Sequence, residues 1–363
     1  MVKISDIIRD EDVLLSNKKK SKSTAQKNSD TSKGMEFSTI MADADATGIK
    51  NDKSPNAPLH TRPENKQAED ILSRLHSSLN EMYDQVRNEN IPDFSLMESL
   101  IANFISSMEE FEDFYMIRAY ADYDYTDLAQ SAIWTTLYTI KIAKRMGVAD
   151  SQIANCALCS MFHNIGLMLI PEEIVQKTTP LSKSERDLLR SHPKLAYDLI
   201  TSADSRYTYL AETIYQEHEF MDGSGYPQGL AGKQIGLYAK IIMVADTYDA
   251  LTHTRAYHDR KLPLVAIKEI IDTRTKKYDT RVLKAFLEEI TLFPVGCYVK
   301  LNNHETGRVV GSMGGSHFRH VVEILFDSNG DPLNTPRVLD LMKLPLLYIV
   351  EGIDERTLDI EQG

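Results

Sequence analysis

The chain has 363 residues, 42% of them hydrophobic, and a formal net charge of −12. That length and apolar content allow one large core with appendages, and the acidic balance excludes a nucleic-acid polymer as the main partner while leaving room for a small anion in a local pocket. No apolar run reaches the length of a membrane span, the N-terminus alternates charges with short aliphatics, and three cysteines are too few for a disulfide framework, so a cytoplasmic protein is expected.

Residues 1–66 read as a polar, basic and mostly disordered arm. From residue 16 onward the arm is poor in aromatics, with lysines at 18, 19, 20, 22, 27 and 33, and it cannot bury enough surface to offset its ordering entropy. The lysines suit either a solvated tail or a partner contact, and the tail is the simpler reading. Helical periodicity begins in a region expected to span 67–122. Ile71, Leu72, Leu75, Leu79 and Met82 mark one apolar face, and Leu96, Leu100, Ile101, Phe104, Ile105 and Met108 another. A larger helical domain is expected over 123–290, with helices from Ile133 to Met146, Ser151 to Phe162 and Ser182 to Ser191. The last opens on a capping box, Ser182-Lys183-Ser184-Glu185. Cys156 and Cys159 have the spacing of a redox or zinc pair, but no second pair accompanies them and their flanks are apolar, so two small core residues are expected. After Gly296 the period shifts to two. Short strands at 298–301, 308–310 and 320–325 predict a small β-rich appendage over 291–363.

The chemistry-bearing residues cluster in the middle of the chain. Hydrolysis of a phosphodiester at neutral pH calls for metal ions that acidify water and neutralise phosphate, and two-metal sites hold their ions about 3.5–4 Å apart. Such sites need imidazoles and at least one bridging carboxylate, supplied by several helices facing one cavity. The candidates are His163, His192, Glu217, His218 and Asp246, with Asp127 upstream. The turn Asp222-Gly223-Ser224-Gly225-Tyr226-Pro227 follows directly on Glu217-His218-Glu219. Asp222 is expected to brace that turn, Glu219 to cap or brace it, Gly225 to adopt positive φ, and Tyr226-Pro227 to form a rigid corner beside the cavity.

These motifs, in this order and with these gaps, resemble the HD-GYP family of the HD superfamily, helical phosphodiesterases that hydrolyse cyclic di-GMP in bacteria. The resemblance runs from about Phe94 to Leu301 and rests on His163-Asn164-Ile165-Gly166, His192-Pro193, Glu217-His218-Glu219 with the turn after it, Ile241 to Leu251, and Thr254-Arg255-Ala256-Tyr257. It implies a mainly α fold: an HD-type helical bundle preceded by helices, with the β appendage behind. It also implies that His163, His192, His218 and Asp246 stand at metal-ligand positions, that Asp127 stands where many members have a ligating glutamate, and that Gly225, Tyr226 and Pro227 lie near the ligand site. Arg255 is the expected phosphate contact through its planar fork, with a salt bridge to Asp249 as the alternative; His258 stands where the family often has lysine or arginine.

The departures from the pattern carry equal weight. Asn164 replaces the aspartate that bridges two metals, Ser131 replaces a histidine ligand, Leu167 replaces a lysine near the scissile phosphate, and Glu217 replaces the first of two adjacent histidines. His192, Glu217 and His218 still make a two-histidine, one-carboxylate set of the kind that binds iron or manganese. Adjacent residues on a helix point about 100° apart, so Glu217 and His218 share an ion only where the backbone leaves regular helix. A single Fe or Mn ion is expected rather than a dinuclear centre, with no catalytic residue assigned. The expected function is a degenerate HD-GYP protein of cyclic di-GMP signalling, catalytically impaired, binding cyclic di-GMP or a protein partner. The alternatives are an active phosphodiesterase with an altered metal site and a protein-interaction scaffold without ligand.

Overall fold

The computed structural model describes residues 65–358 apart from 125, 255–258, 275, 313–319 and 345. Almost all of the expected N-terminal arm therefore lies outside the described residues. Helices α1 (Lys66–Arg87) and α2 (Ser95–Tyr120) come first, followed by α3 (Leu128–Arg145), α4 (Asp150–Met161), a 3-10 turn at Ile165–Leu169, and α5 (Glu172–Val175). Next come α6 (Lys183–Arg190), α7 (His192–Ala203), α8 (Thr208–Ile214), α9 (Leu237–Thr252), α10 (Pro263–Arg274) and α11 (Thr280–Glu289). The fold is mainly helical, as expected.

Two helices form the centre. In α3 every residue from Leu128 to Ala143 except Gln130 is buried, and in α9 every residue from Ala239 to Thr252 is buried. A helix apolar on all sides has no solvent face to offer, so the others wrap around it. The ammonium of Lys141, buried on α3, lies between Glu112 of α2 and Glu289 of α11, 2.7 Å from the latter, which ties three helices at one point. In α1 the five predicted apolar positions are all buried, whereas in α2 Leu96 is 53% exposed, a correction to the predicted face. In the first turn of α2 it is Met97, fully buried, that takes the inward position, and Leu96 beside it faces solvent. Cys156 and Cys159 are fully buried on α4, and burial raises both thiols, so they act as small core residues.

Strands β1 (Tyr298–Leu301), β2 (Thr306–Ser312), β3 (His320–Phe326), β4 (Pro332–Asp340) and β5 (Ile349–Ile353) form one antiparallel sheet in the order β4-β3-β2-β1-β5. The first three fall where the two-residue period placed them. Strands β4 and β5 were not foreseen: both are edges, and their mostly exposed side chains carry no alternation. The sheet has its own core around Val299, Leu301, Val309, Val322 and Ile324, and Ile117 and Tyr120 from the end of α2 pack into it.

Candidate metal centre

His163 lies just beyond the end of α4. Its Nδ1 is 2.6 Å from the carbonyl of Ser160, which can only accept, so Nδ1 carries the hydrogen and in that tautomer the ring presents a lone pair at Nε2. The side-chain amide of Asn164 donates to that same Nε2 at 2.8 Å. Flipping the amide would set oxygen against the lone pair, so the hydrogen-bond network fixes its orientation. Asn164 Oδ1 is then left buried with no partner among the described residues. Asp246 of α9 approaches the same nitrogen at 3.5 Å.

His192 opens α7, one residue before Pro193. Its Nδ1 donates to the Leu189 carbonyl at 2.8 Å, which turns Nε2 towards Glu217 Oε1 at 3.2 Å and His218 Nε2 at 3.1 Å. Glu217 and His218 follow the end of α8 at Ile214 in a run of tight turns, where Glu219 N bonds back to Gln216 O. This is the departure from regular helix that two neighbouring ligands require, and it brings Glu217 Oε1 to 3.2 Å from His218 Nε2. The donor atoms of His192, Glu217 and His218 all lie within 4.8 Å of one another, and all three residues are buried.

The electrostatics of the cluster suit a cation. Burial pushes the Glu217 carboxyl well above its usual range, and the Asp246 carboxylate adds to the push. Burial likewise takes His192 down to about 4 and His218 well below its usual value, the latter helped by the neighbouring imidazoles of His192 and His163. Both imidazoles thus favour the neutral form, and Glu217 holds its proton to higher pH than an ordinary carboxyl. Glu217 Oε2 is buried with no partner among the described residues. Two neutral imidazoles, one carboxyl and an orphaned oxygen converging on one point fit a divalent ion of the iron or manganese class. A cleft beside the cluster is lined by Glu217, His218, Phe220, Tyr226, Met243, Asp246 and Thr247.

Other candidate residues are used differently. Asp127 caps α3 by accepting from Gln130 N at 2.9 Å and pairs with His76 of α1 at 2.7 Å, so the three-residue cluster does not include it. Burial raises the Asp127 carboxyl, but the hydrogen bonds from His76 and Gln130 outweigh it and the net shift is downward. Ser131 donates to Asp249 Oδ2 at 2.9 Å, alongside Tyr123 at 2.8 Å, and His253 approaches the other oxygen at 3.1 Å. Leu167 is buried in the 3-10 turn and brings no cation. Arg255 and His258 lie outside the described residues.

The turn after the cluster corrects one expectation. Gly225 is not among the positive-φ glycines; it is required because a Cβ there would sit 2.4 Å from Glu219 Cα, His218 O and Phe220 N. Glu219, fully buried, braces the far side of the turn by accepting from the backbone N–H groups of Gln228, Gly229 and Leu230 at 2.6, 3.1 and 2.9 Å. Asp222 accepts from both N–H and Oγ–H of Ser224, as a turn aspartate does. His76 and Arg190 were missed by sequence reasoning. Neither lies in a motif, although Arg190 stands two residues before His192 at the end of a helix whose capping box was legible.

Comparison with known proteins supplies context for this geometry. Residues 117–282 match the model of the HD domain, and residues 298–360 match that of a KOW domain associated with the HD domain. A cyclic di-GMP phosphodiesterase of Pseudomonas aeruginosa is 28% identical over 226 residues, which cover 62% of this chain and 54% of the relative. A cyclic di-GMP phosphodiesterase response regulator of Xanthomonas campestris is 29% identical over 196 residues, covering 53% and 52%. A 3'3'-cGAMP-specific phosphodiesterase of Vibrio cholerae is 36% identical over 124 residues, covering 32% and 27%. The chain spans about half the length of the first two relatives. In fold it is similar to an HDG"Y"P protein from Bdellovibrio bacteriovorus, with a TM-score of 0.52 at 14% identity over 63% of this chain and 73% of the other. Among the described residues no helix is long and apolar enough to cross a membrane.

Proposed function

Because this chain belongs to the HD-GYP family of HD-domain proteins, we propose that it is a cyclic di-GMP-responsive module with impaired hydrolysis, whose site holds one metal ion between His192, Glu217 and His218. The observation that carries this reading is the 2.8 Å bond from Asn164 Nδ2 to His163 Nε2. That hydrogen occupies the lone pair with which His163 would ligate a second ion. The capture of Asp127 by His76 and of Ser131 by Asp249 supports the same reading from the other side of the site.

An ion held by the three residues would supply Lewis acidity and charge neutralisation to a phosphate oxygen. The chain's own groups do the rest. His192 and His218 offer neutral nitrogens, Glu217 releases its proton to become the compensating anion, and Asp246 and Tyr226 wall the adjoining cleft. Arg255 and His258 are proposed as phosphate contacts, and Gly225, Tyr226 and Pro227 as the ligand-side corner. Hydrolysis also needs a bridging anion and a cation near the leaving oxygen, and Asn164 and Leu167 provide neither.

Elemental analysis of the purified full chain, followed by anaerobic incubation of the iron- or manganese-loaded protein with cyclic di-GMP, tests the proposal. The expected result is a single ion per chain, with cyclic di-GMP bound and recovered intact. Formation of linear dinucleotide or GMP, abolished by Asp246→Ala, would establish an active phosphodiesterase instead. Absence of both metal and ligand binding would leave the scaffold reading.

A further inference from the structure

We propose that the turn from Asp222 to Pro227 is an orienting clamp for His218, in which Arg190 and Tyr226 act as positioning residues through successive ring contacts. The inference rests on the metal reading above and assigns to the turn a task separate from ligand contact.

His163 and His192 are each fixed by an Nδ1–H bond to a carbonyl, and His218 is held by ring contacts. The Tyr226 ring stacks on the His218 imidazole with centroids 4.9 Å apart and planes 19° apart. The Arg190 guanidinium lies over the Tyr226 ring, its Cζ 5.3 Å from the ring centroid. His192 meets His218 edge-on at 4.9 Å and 72°. These contacts restrict the tilt of the imidazole and hold its Nε2 3.1 Å from His192 Nε2 and 3.2 Å from Glu217 Oε1.

The backbone fixes the stack as firmly as the rings do. Tyr226 N donates to His218 O at 3.0 Å, so the stacking residue is hydrogen-bonded to the residue it stacks on. Only glycine at 225 lets the turn come so close, since a Cβ would meet three backbone atoms of residues 218–220 at 2.4 Å. Glu219 anchors the exit of the turn through three N–H groups, and the Tyr226 ring is in contact with both His218 and Arg190. Arg190, in the last turn of α6, also sits where a helix C-terminus favours a cation, and it is two residues from His192.

Manganese titration of the metal-stripped full chain, followed by EPR, tests this, with circular dichroism to check folding. Groups that orient ligands typically contribute about 10- to 100-fold in metal affinity. Tyr226→Leu and Arg190→Gln should weaken Mn2+ binding by that order and broaden the bound-Mn2+ spectrum, while Tyr226→Phe, which keeps the ring, and Arg190→Lys, which keeps a cation, should restore it to within about threefold of wild type. Arg190 is partly exposed, so its variants report even if Tyr226→Leu fails to fold. Wild type that binds Mn2+ alongside Arg190→Gln of equal affinity and spectrum overturns the clamp. A wild type that binds no Mn2+ overturns the metal reading and the clamp together.

Discussion

Replacing Asn164 with aspartate should convert a one-ion site into a two-ion site. The change preserves shape but removes the donor that occupies His163 Nε2, and it adds an anion at a position only 4% exposed. Without metal, two acceptors then face each other in a dry environment, a cost of about 1–3 kcal/mol unless His163 takes up a proton. With metal the sign reverses. The freed lone pair, the new carboxylate and Asp246, 3.5 Å from His163, converge on one point. At manganese concentrations about 100-fold above the dissociation constant, a second ion would add about 2.7 kcal/mol, or roughly 5–10 °C in Tm for a domain of this size. Elemental analysis and thermal scans of both proteins with and without MnCl2 provide the assay. A variant with the metal content and Mn2+-induced Tm shift of wild type would refute the view that Asn164 closes the second site.

Four further outcomes are expected. Gly225→Ala should destabilise the protein by about 1–3 kcal/mol in denaturant titrations, because the added methyl meets backbone that cannot rotate away. Glu219→Gln should cost about 1–3 kcal/mol, since an amide cannot accept all three N–H bonds as the carboxylate does. His76→Ala should cost about 0.5–1 kcal/mol, a small value because both partners are about one-third exposed. Its pH dependence follows from opposite shifts: His76 is raised, chiefly by its hydrogen bond to Asp127, and that contribution fades as pH climbs through the raised value; Asp127 is lowered, and its contribution fades as pH falls through the lowered value. The deficit measured by urea unfolding should therefore peak around pH 5 and shrink in alkali and strong acid. Metal affinity should rise with pH well beyond the ordinary carboxylate range, because Glu217 must release its proton to bind; a flat profile between pH 5 and pH 8 would remove Glu217 from the ligand set.

Local chemistry was legible in the sequence where one residue type has one use. The capping box at Ser182 and Glu185 forms as written, and β1 occupies the four residues that alternation assigned to it. The convergence of Glu217 with His218 was legible as a condition on the backbone, and the end of α8 at Ile214 meets it. Residues with two uses misled. Asp127 serves both as a ligand type and as a helix cap, and it starts the helix at Leu128, five residues before Ile133. The periodic stripe in α2 did not reveal that Met97, and not Leu96, takes the inward position in its first turn. Glycine at 225 suggested a torsion, whereas the fold uses its lack of a side chain, a requirement set by the chain segment pressed against it. The lone pair taken by Asn164 depends on a third group, the Ser160 carbonyl, whose position no spacing in the sequence discloses.

Helix α2 is shared between two cores: its length from Leu100 to Tyr115 lies among the helices, and its last turn, Ile117 and Tyr120, lies against the sheet. The end of that helix is also fastened from both sides, by His253 Nε2 on the Ala119 carbonyl at 2.9 Å and by Arg260, which covers the Tyr120 ring and pairs with Glu355 at 2.8 Å. The join between helices and strands is therefore a poor place to cut the chain. A fragment ending at residue 290 would bare an aromatic and an aliphatic side chain, strand Arg260 without Glu355, and become prone to self-association. For the intact protein, heat should melt the helices and the sheet in one calorimetric event.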